Sequence, residues 1–226
     1  MTVVAVIPAL REVATIGAVV TAVAGYVDAV VVVEGASGDG TAERAREVGA
    51  DVVIEARRGY GRACLAGAER ATELGADVVV FVDGGGAEDP ADLPALLEPL
   101  RAGRADLVVG SRVRGDRERG ALRPLQRLGN ALVVRVLARR HGFEFSDLGS
   151  MRAIRADSLR ALALTETGSG WPLQMQARAL ASGLRVVEVP IRYRRRQGGR
   201  SKVSGNLGSA TRAGLTMLRV LARSGR

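Results

Sequence analysis

The sequence predicts an α/β fold: one mainly parallel sheet flanked by helices, with a C-terminal helical/β elaboration. Three observations predict it. Short Val-rich runs alternate with helical stretches through the first 115 residues. Those runs are apolar at nearly every position, the pattern of strands buried on both faces. With 226 residues, 47% of them hydrophobic, the chain can also bury one well-packed core.

Residues 3–7 form a first strand ended by Pro8, and 15–24 a mostly apolar helix. Residues 29–33 form a second strand and 41–48 a charged helix. Strands at 52–55 and 78–82 continue the alternation, with a helix at 62–74 between them. Asp89 before Pro90 has the N-cap-then-N1 pattern and opens a helix to residue 100, so Glu88 and Asp89 read as structural. Residues 107–109 are the next strand; long basic helices, the β segment VVEVPIRYRRR and a final helix follow. No Pro- or Ser-rich linker divides the chain, which reads as a single domain over 1–226. Ligands on such sheets sit beyond the carboxyl ends of the strands.

Composition excludes several chemistries. A lone cysteine, Cys64, forms no internal disulfide or thiolate zinc site, and a lone histidine, His141, excludes multi-histidine metal centres. The net charge of +9 favours an anionic partner, yet all but one of the 33 basic residues are arginine, which looks like compositional bias. Aromatics are only 3%, too few for base-stacking platforms, so nucleic acid is not the expected partner. The first strand is not followed by a dinucleotide-binding glycine pattern, and GGRSK at 198–202 has the wrong spacing for a P-loop. The N-terminus lacks the basic lead and cleavage site of a signal peptide. Gly25 and Asp28 break the apolar stretch at 13–33 into a helix and a strand. A cytoplasmic protein is expected, with a peripheral seat at a membrane as the alternative.

Several strand ends carry ligand-capable groups. Pro8, Ala9 and Glu12 follow the first, EGASGDGT the second, and FVDGGG ends the fourth with Asp83. An unpaired buried carboxylate there would cost several kcal/mol, so Asp83 is expected to face a cleft, a cation or a hydroxyl. Later come RRGYGRACLAGAERA, ADLVVGSR, QRLGNAL, SDLGSMRAIRADSL, GWPLQMQ and RYRRRQGGRSKVSG. In order and spacing the series resembles the family 2 glycosyltransferases of the GT-A fold, nearest the dolichol- or polyprenol-phosphate mannose/glucose synthase branch.

The resemblance implies a nucleotide-sugar-binding half at 1–115 and an acceptor-side half at 116–226. It places the donor against Pro8, Ala9, Glu12, Glu34, Ser37, Asp39, Gly61, Arg62, Asp83, Gly84, Arg200, Ser201 and Lys202. Glu34 would face the nucleobase, which suits uracil or guanine, so the donor is UDP- or GDP-linked. Asp83 is the first carboxylate of a DxD motif whose second is here Gly85, leaving Asp83 as the implied metal ligand. Arg11 replaces the usual Asn, Gly35 an Asn or Asp, and Gln174 the Glu of a Trp-x-x-Glu pattern. A catalytic set of Asp83, Asp147, Gln174, Arg200 and Lys202 follows from the match. On residues alone, Asp39-Gly40-Thr41 also reads as a turn with a helix N-cap, and GYGRAC as a loop with close helix packing.

Mg²⁺ or Mn²⁺ is expected to be weakly held or dispensable, because Arg200 and Lys202 carry charge suited to a departing diphosphate. One such charge about 4 Å away contributes roughly 4 kcal/mol at an effective dielectric of 20. Gln174 cannot act as a general base, whereas a polyprenyl phosphate acceptor is already an anion, so Gln174 suits a phosphate acceptor unless Asp147 supplies the base. The leading expectation is an inverting hexose transfer to polyprenyl phosphate or another specialised acceptor. The alternative is a catalytically degenerate protein that binds nucleotide sugar or a partner. In a helix from 123 to 140, Leu125, Leu128, Leu132 and Val136 form a stripe expected to pack on the core, with an anionic membrane surface as the other choice. Leu207, Leu215, Leu218 and Leu221 pose the same choice in the final helix.

Overall fold

The computed structural model describes residues 1–121, 124–143 and 145–196. Arg200, Ser201, Lys202 and the final leucine stripe lie outside the described residues. Seven strands form one sheet: β1 (Val3–Ala9), β2 (Ala29–Glu34), β3 (Asp51–Ile54), β4 (Val78–Phe81), β5 (Leu107–Ser111), β6 (Arg152–Arg155) and β7 (Val186–Pro190). Their order is β3-β2-β1-β4-β6-β5-β7. Every pairing is parallel except those of β6, which runs antiparallel to β4 and β5.

Helices α1 (Ile16–Ala24), α2 (Thr41–Glu47), α3 (Tyr60–Glu73) and α4 (Leu93–Arg101) connect the early strands. Helices α5 (Pro124–His141), α6 (Ala156–Ala161) and α7 (Trp171–Ala181) follow among the described residues. Side chains alternate across each strand, so β1 serves two cores. Val4 and Val6 join Phe81, Cys64 and Trp171 on one face, while Val3, Ala5 and Ile7 join Ile16, Val20 and Leu96 on the other. This double burial is why the central strands β1, β2 and β4 are apolar at nearly every position.

On the first face α3 lies directly on β1 and β2. A Cβ at Gly67 would stand 2.2 Å from Val6 Cγ1 and 3.0 Å from Val33 Cγ2. Gly67→Ala is therefore expected to cost about 1–3 kcal/mol by overpacking, seen as a lower urea midpoint with an unchanged slope.

Two features differ from expectation. The strand β6 was not anticipated, and it inserts between β4 and β5 with buried Arg152 opposite Phe81. Its guanidinium donates to the carbonyls of Gly149, Ser150 and Pro172 and lies 6.0 Å from the centre of the Trp171 ring. The second concerns α5, whose buried residues, among those described, are Val133, Val134 and Leu137, while of the expected stripe Val136 packs partly buried against the core. Leu128 and Leu132 are 70% and 61% exposed. The helix carries two overlapping apolar stripes that meet the core at Val133, Val134, Val136 and Leu137 and leave Leu128 and Leu132 outside.

Candidate active site

The carboxyl ends of β1, β2 and β4 lie side by side at one edge of the sheet, and their loops are tied together. After β1 the Glu12 amide donates to Thr41 Oγ1 at 3.0 Å, joining this turn to the start of α2. The Thr15 hydroxyl donates to the Gly84 carbonyl at 2.8 Å, joining it to the loop after β4. Arg11 sits at φ 55°. That left-handed conformation suits asparagine and costs other non-glycine residues about 1–2 kcal/mol.

The loop after β2 is closed on itself. Both Glu34 oxygens accept from the Ser37 amide, at 3.0 and 3.3 Å, and its Oε1 also meets the Ser37 hydroxyl. Asp39 Oδ1 accepts from Ser37 Oγ at 2.7 Å, Thr41 Oγ1 at 2.6 Å and the Thr41 amide at 3.2 Å. Burial opposes the Asp39 charge, but these bonds, led by the Thr41 hydroxyl, hold its carboxyl below the ordinary range. Gly40 takes φ 92° as anticipated for the turn. Thr41 is the first residue of α2 rather than its cap, and its hydroxyl serves Asp39 and Glu12.

Asp83 stands just beyond β4. Its amide donates to Glu88 Oε2 at 3.1 Å, while its carboxylate makes no hydrogen bond among the described residues. Gly84 lets the chain pass close to β1, since a Cβ there would lie 3.2 Å from the Pro8 carbonyl and 3.5 Å from Ala9 Cβ. Burial and the neighbouring Asp83 charge push the Cys64 thiol well above its usual range, so it is not a nucleophile.

Glu88 is more than a loop residue before a helix cap. It is 4% exposed, and its Oε1 accepts from Ser150 Oγ at 2.6 Å and the Met151 amide at 2.8 Å. It thus pins the Asp83 loop to the start of β6. Burial, then the charge of Asp83, pushes the Glu88 carboxyl up to about 7. The sequence hid this because Asp89, which does cap the 3-10 turn at Pro90–Asp92, gave a sufficient reason for the acidic pair.

Gly61 and Arg62 are not open to a ligand through their amides. Gly61 N donates to Gly168 O at 3.2 Å and Arg62 N to Thr167 O at 3.1 Å, so carbonyls of the loop before α7 cover the start of α3. The close-packing reading of GYGRAC fits this contact: a Cβ at Gly61 would lie 2.2 Å from Glu166 O. Gln174 holds that same loop. Its Oε1 accepts from the amides of Thr165 and Glu166 at 2.9 and 2.8 Å, and its Nε2 donates to Thr165 Oγ1 at 3.1 Å.

Asp147 is likewise engaged. It is 0% exposed and accepts from Arg112 Nε at 2.7 Å and Nη2 at 2.8 Å, as well as from the Arg112 and Leu148 amides. Burial works against the Arg112 charge, but the Asp147 charge more than restores it. The face of Arg112 lies 5.2 Å from the centre of the Tyr193 ring. Asp147 positions Arg112, and its oxygens are taken up in doing so; that occupation argues against the general-base role considered for it.

One further group at this edge was not anticipated. Arg196 reaches back from beyond β7, and its Nη2 donates to Glu12 Oε1 at 2.8 Å. The guanidinium lies directly against Gly85. The run RYRRR gave no sign of which arginine would do this.

The family model described as "Glycosyl transferase family 2" matches residues 4–162. The chain belongs to that family. As a family 2 glycosyltransferase it is an enzyme, and its fold is that of the GT-A glycosyltransferases it matches in structure. A Mycobacterium tuberculosis (strain H37Rv) protein named as an uncharacterized glycosyltransferase is 39% identical to it over 226 residues, spanning 96% of each chain. The undecaprenyl-phosphate mannosyltransferase of Micrococcus luteus is 35% identical over 191 residues, spanning 79% of this chain and 76% of that one. The structure of M. tuberculosis glucosyl-3-phosphoglycerate synthase with Mn²⁺, UDP and glucosyl-3-phosphoglycerate matches with a TM-score of 0.76. It covers 99% of this chain and 79% of its own at 23% identity, a likeness of fold.

A divalent cation held by paired carboxylates does not fit the residues of this glycosyltransferase. Gly85 offers no ligand, Glu12 is held by Arg196, and Glu88 is turned towards Ser150 and Met151. Among the described residues no three His, Cys, Asp or Glu side chains are grouped to hold a metal.

Proposed function

We propose that this glycosyltransferase moves a hexose from a UDP- or GDP-linked sugar to a polyprenyl phosphate, with inversion. The acceptor phosphate oxygen attacks the anomeric carbon from the side opposite the diphosphate. A new carbon–oxygen bond forms as the bond to the nucleoside diphosphate breaks, and the electron pair leaves with that diphosphate. Asp83 would orient the donor, and Arg200 and Lys202 would meet the growing negative charge.

The observation that carries this reading is the engaged acceptor side. Asp147 is taken up by Arg112, and Gln174 is neither a base nor free of its loop. An alcohol acceptor needs a side chain to remove its proton; a phosphate does not. The Micrococcus luteus relative is named for transfer to undecaprenyl phosphate, and the M. tuberculosis neighbour was solved with UDP. The exposed Leu128 and Leu132, among exposed Arg127, Arg135 and Arg139, suit a peripheral seat on a lipid surface. Among the described residues no helix is long and apolar enough to cross a membrane.

The test is a panel of labelled UDP- and GDP-hexoses offered with undecaprenyl phosphate and, separately, with undecaprenol. Product is expected from the phosphate alone. Equal product from the alcohol would refute the phosphate acceptor.

A further inference from the structure

The space above Gly85 is already filled. A Cβ built there would stand 1.9 Å from Arg196 Nη2 and 2.3 Å from its Cζ and Nε. No real Cβ tolerates such contacts, so while Arg196 keeps this position residue 85 can only be glycine. Gly85 is also the place where the second carboxylate of the DxD pattern would project. A positive guanidinium therefore occupies the volume in which that carboxylate would reach for a metal.

We propose that Arg196 is the resident cation of the donor site, its guanidinium receiving the donor diphosphate where a carboxylate-held divalent ion would otherwise do so. The proposal rests on the reading that a nucleotide sugar binds beside Asp83.

Three observations support it. Arg196 is held in place: its Nη2 donates to Glu12 Oε1, and the Glu12 turn is fixed to the Asp83 loop through Thr15 and Gly84. Its donors are also far from spent. A guanidinium carries five N–H groups in a planar fork that matches phosphate oxygens. The Glu12 bond uses one of them, and among the described residues Nε is buried with no hydrogen-bond partner. The side chain is 25% exposed, so part of it faces solvent from which a ligand can come.

The third support is exclusion. An aspartate at position 85 would collide with Arg196 and, if accommodated, would add a second carboxylate to a guanidinium that Glu12 already pairs, taking up donors now left for a phosphate. A divalent ion at the same place would meet a like charge. The two arrangements are alternatives, and the pair Gly85 with Arg196 is one self-consistent choice.

Titration calorimetry with UDP and with GDP, in EDTA and then in Mn²⁺, tests this. The unaltered protein is expected to bind one of the two nucleotides with affinities that agree within about threefold in the two buffers. Arg196→Ala should weaken binding at least tenfold in both, since a hydrogen bond to a charged group is lost. Gly85→Asp combined with Arg196→Ala should restore binding only with Mn²⁺, together with a bound-Mn²⁺ signal by electron paramagnetic resonance.

A tenfold loss of nucleotide affinity on adding EDTA to the unaltered protein would overturn the role of Arg196 and leave the donor reading standing. So would unchanged affinity in Arg196→Ala. Failure of the unaltered protein to bind either nucleotide in either buffer would instead remove the donor reading itself. If Arg196→Ala does not fold, Arg196→Lys keeps a charge without the fork and should bind more weakly; equal binding counts against the proposal. The chelator comparison needs no variant.

Discussion

Asp147→Ala is expected to destabilise the protein by about 3–5 kcal/mol, the cost of leaving one member of a buried ion pair alone. Arg112 would lose both arms of a bidentate contact, at 2.7 and 2.8 Å, in a position where water is scarce. The amides of Arg112 and Leu148 would lose their acceptor as well. Urea unfolding measures the loss. The double variant Asp147→Ala with Arg112→Ala should recover part of it, because removing both charges avoids the orphaned one. Asp147→Asn separates this role from general-base catalysis. A base replaced by an amide would lose turnover in a protein of normal stability. A positioning residue loses stability first, and turnover falls with the folded fraction.

The first half of the fold was legible because its strands are buried on both faces. Val3 to one side and Val4 to the other make an apolar run that marks a strand without any alternation. That signal fails for β6, whose sequence RAIR places two arginines in four residues. Arg152 is tolerated there because carbonyls surround it: those of Gly149 and Ser150, from the turn just before the strand, and that of Pro172, twenty residues on at the start of α7. Periodicity failed differently in α5, where it found a real stripe and could not say which part of it meets the core. At the site, Asp83 was legible as a charge ending an apolar run. Arg196 was not, being one of several adjacent arginines, and the empty position that explains it lies 111 residues earlier at Gly85. A missing side chain is readable in a sequence; what fills its space is not.

Asp83→Asn is expected to move function and stability in opposite directions. Donor affinity should fall about 10- to 100-fold, the range for losing a hydrogen bond to a charged group at about 1.5–3 kcal/mol. Stability should rise, and only towards alkaline pH. The reason lies in Glu88, whose carboxyl is pushed from 4.5 up to about 7 by burial and then by the Asp83 charge. Between those values the folded chain keeps a proton that the unfolded chain has released. The contribution is therefore complete below pH 4.5, declines as pH rises, and is lost above pH 7; at about 1.4 kcal/mol per unit it amounts to a few kcal/mol. Asparagine removes the like charge but not the burial, so it removes only part of the decline. Unfolding curves at pH 5 and pH 8 should show the variant gaining on the unaltered protein by on the order of 1 kcal/mol between the two. Identical differences at both pH values would mean that Asp83 and Glu88 do not feel one another. A gain confined to high pH would mark Asp83 as a carboxylate kept against the interest of stability, which is how a group held for its ligand behaves.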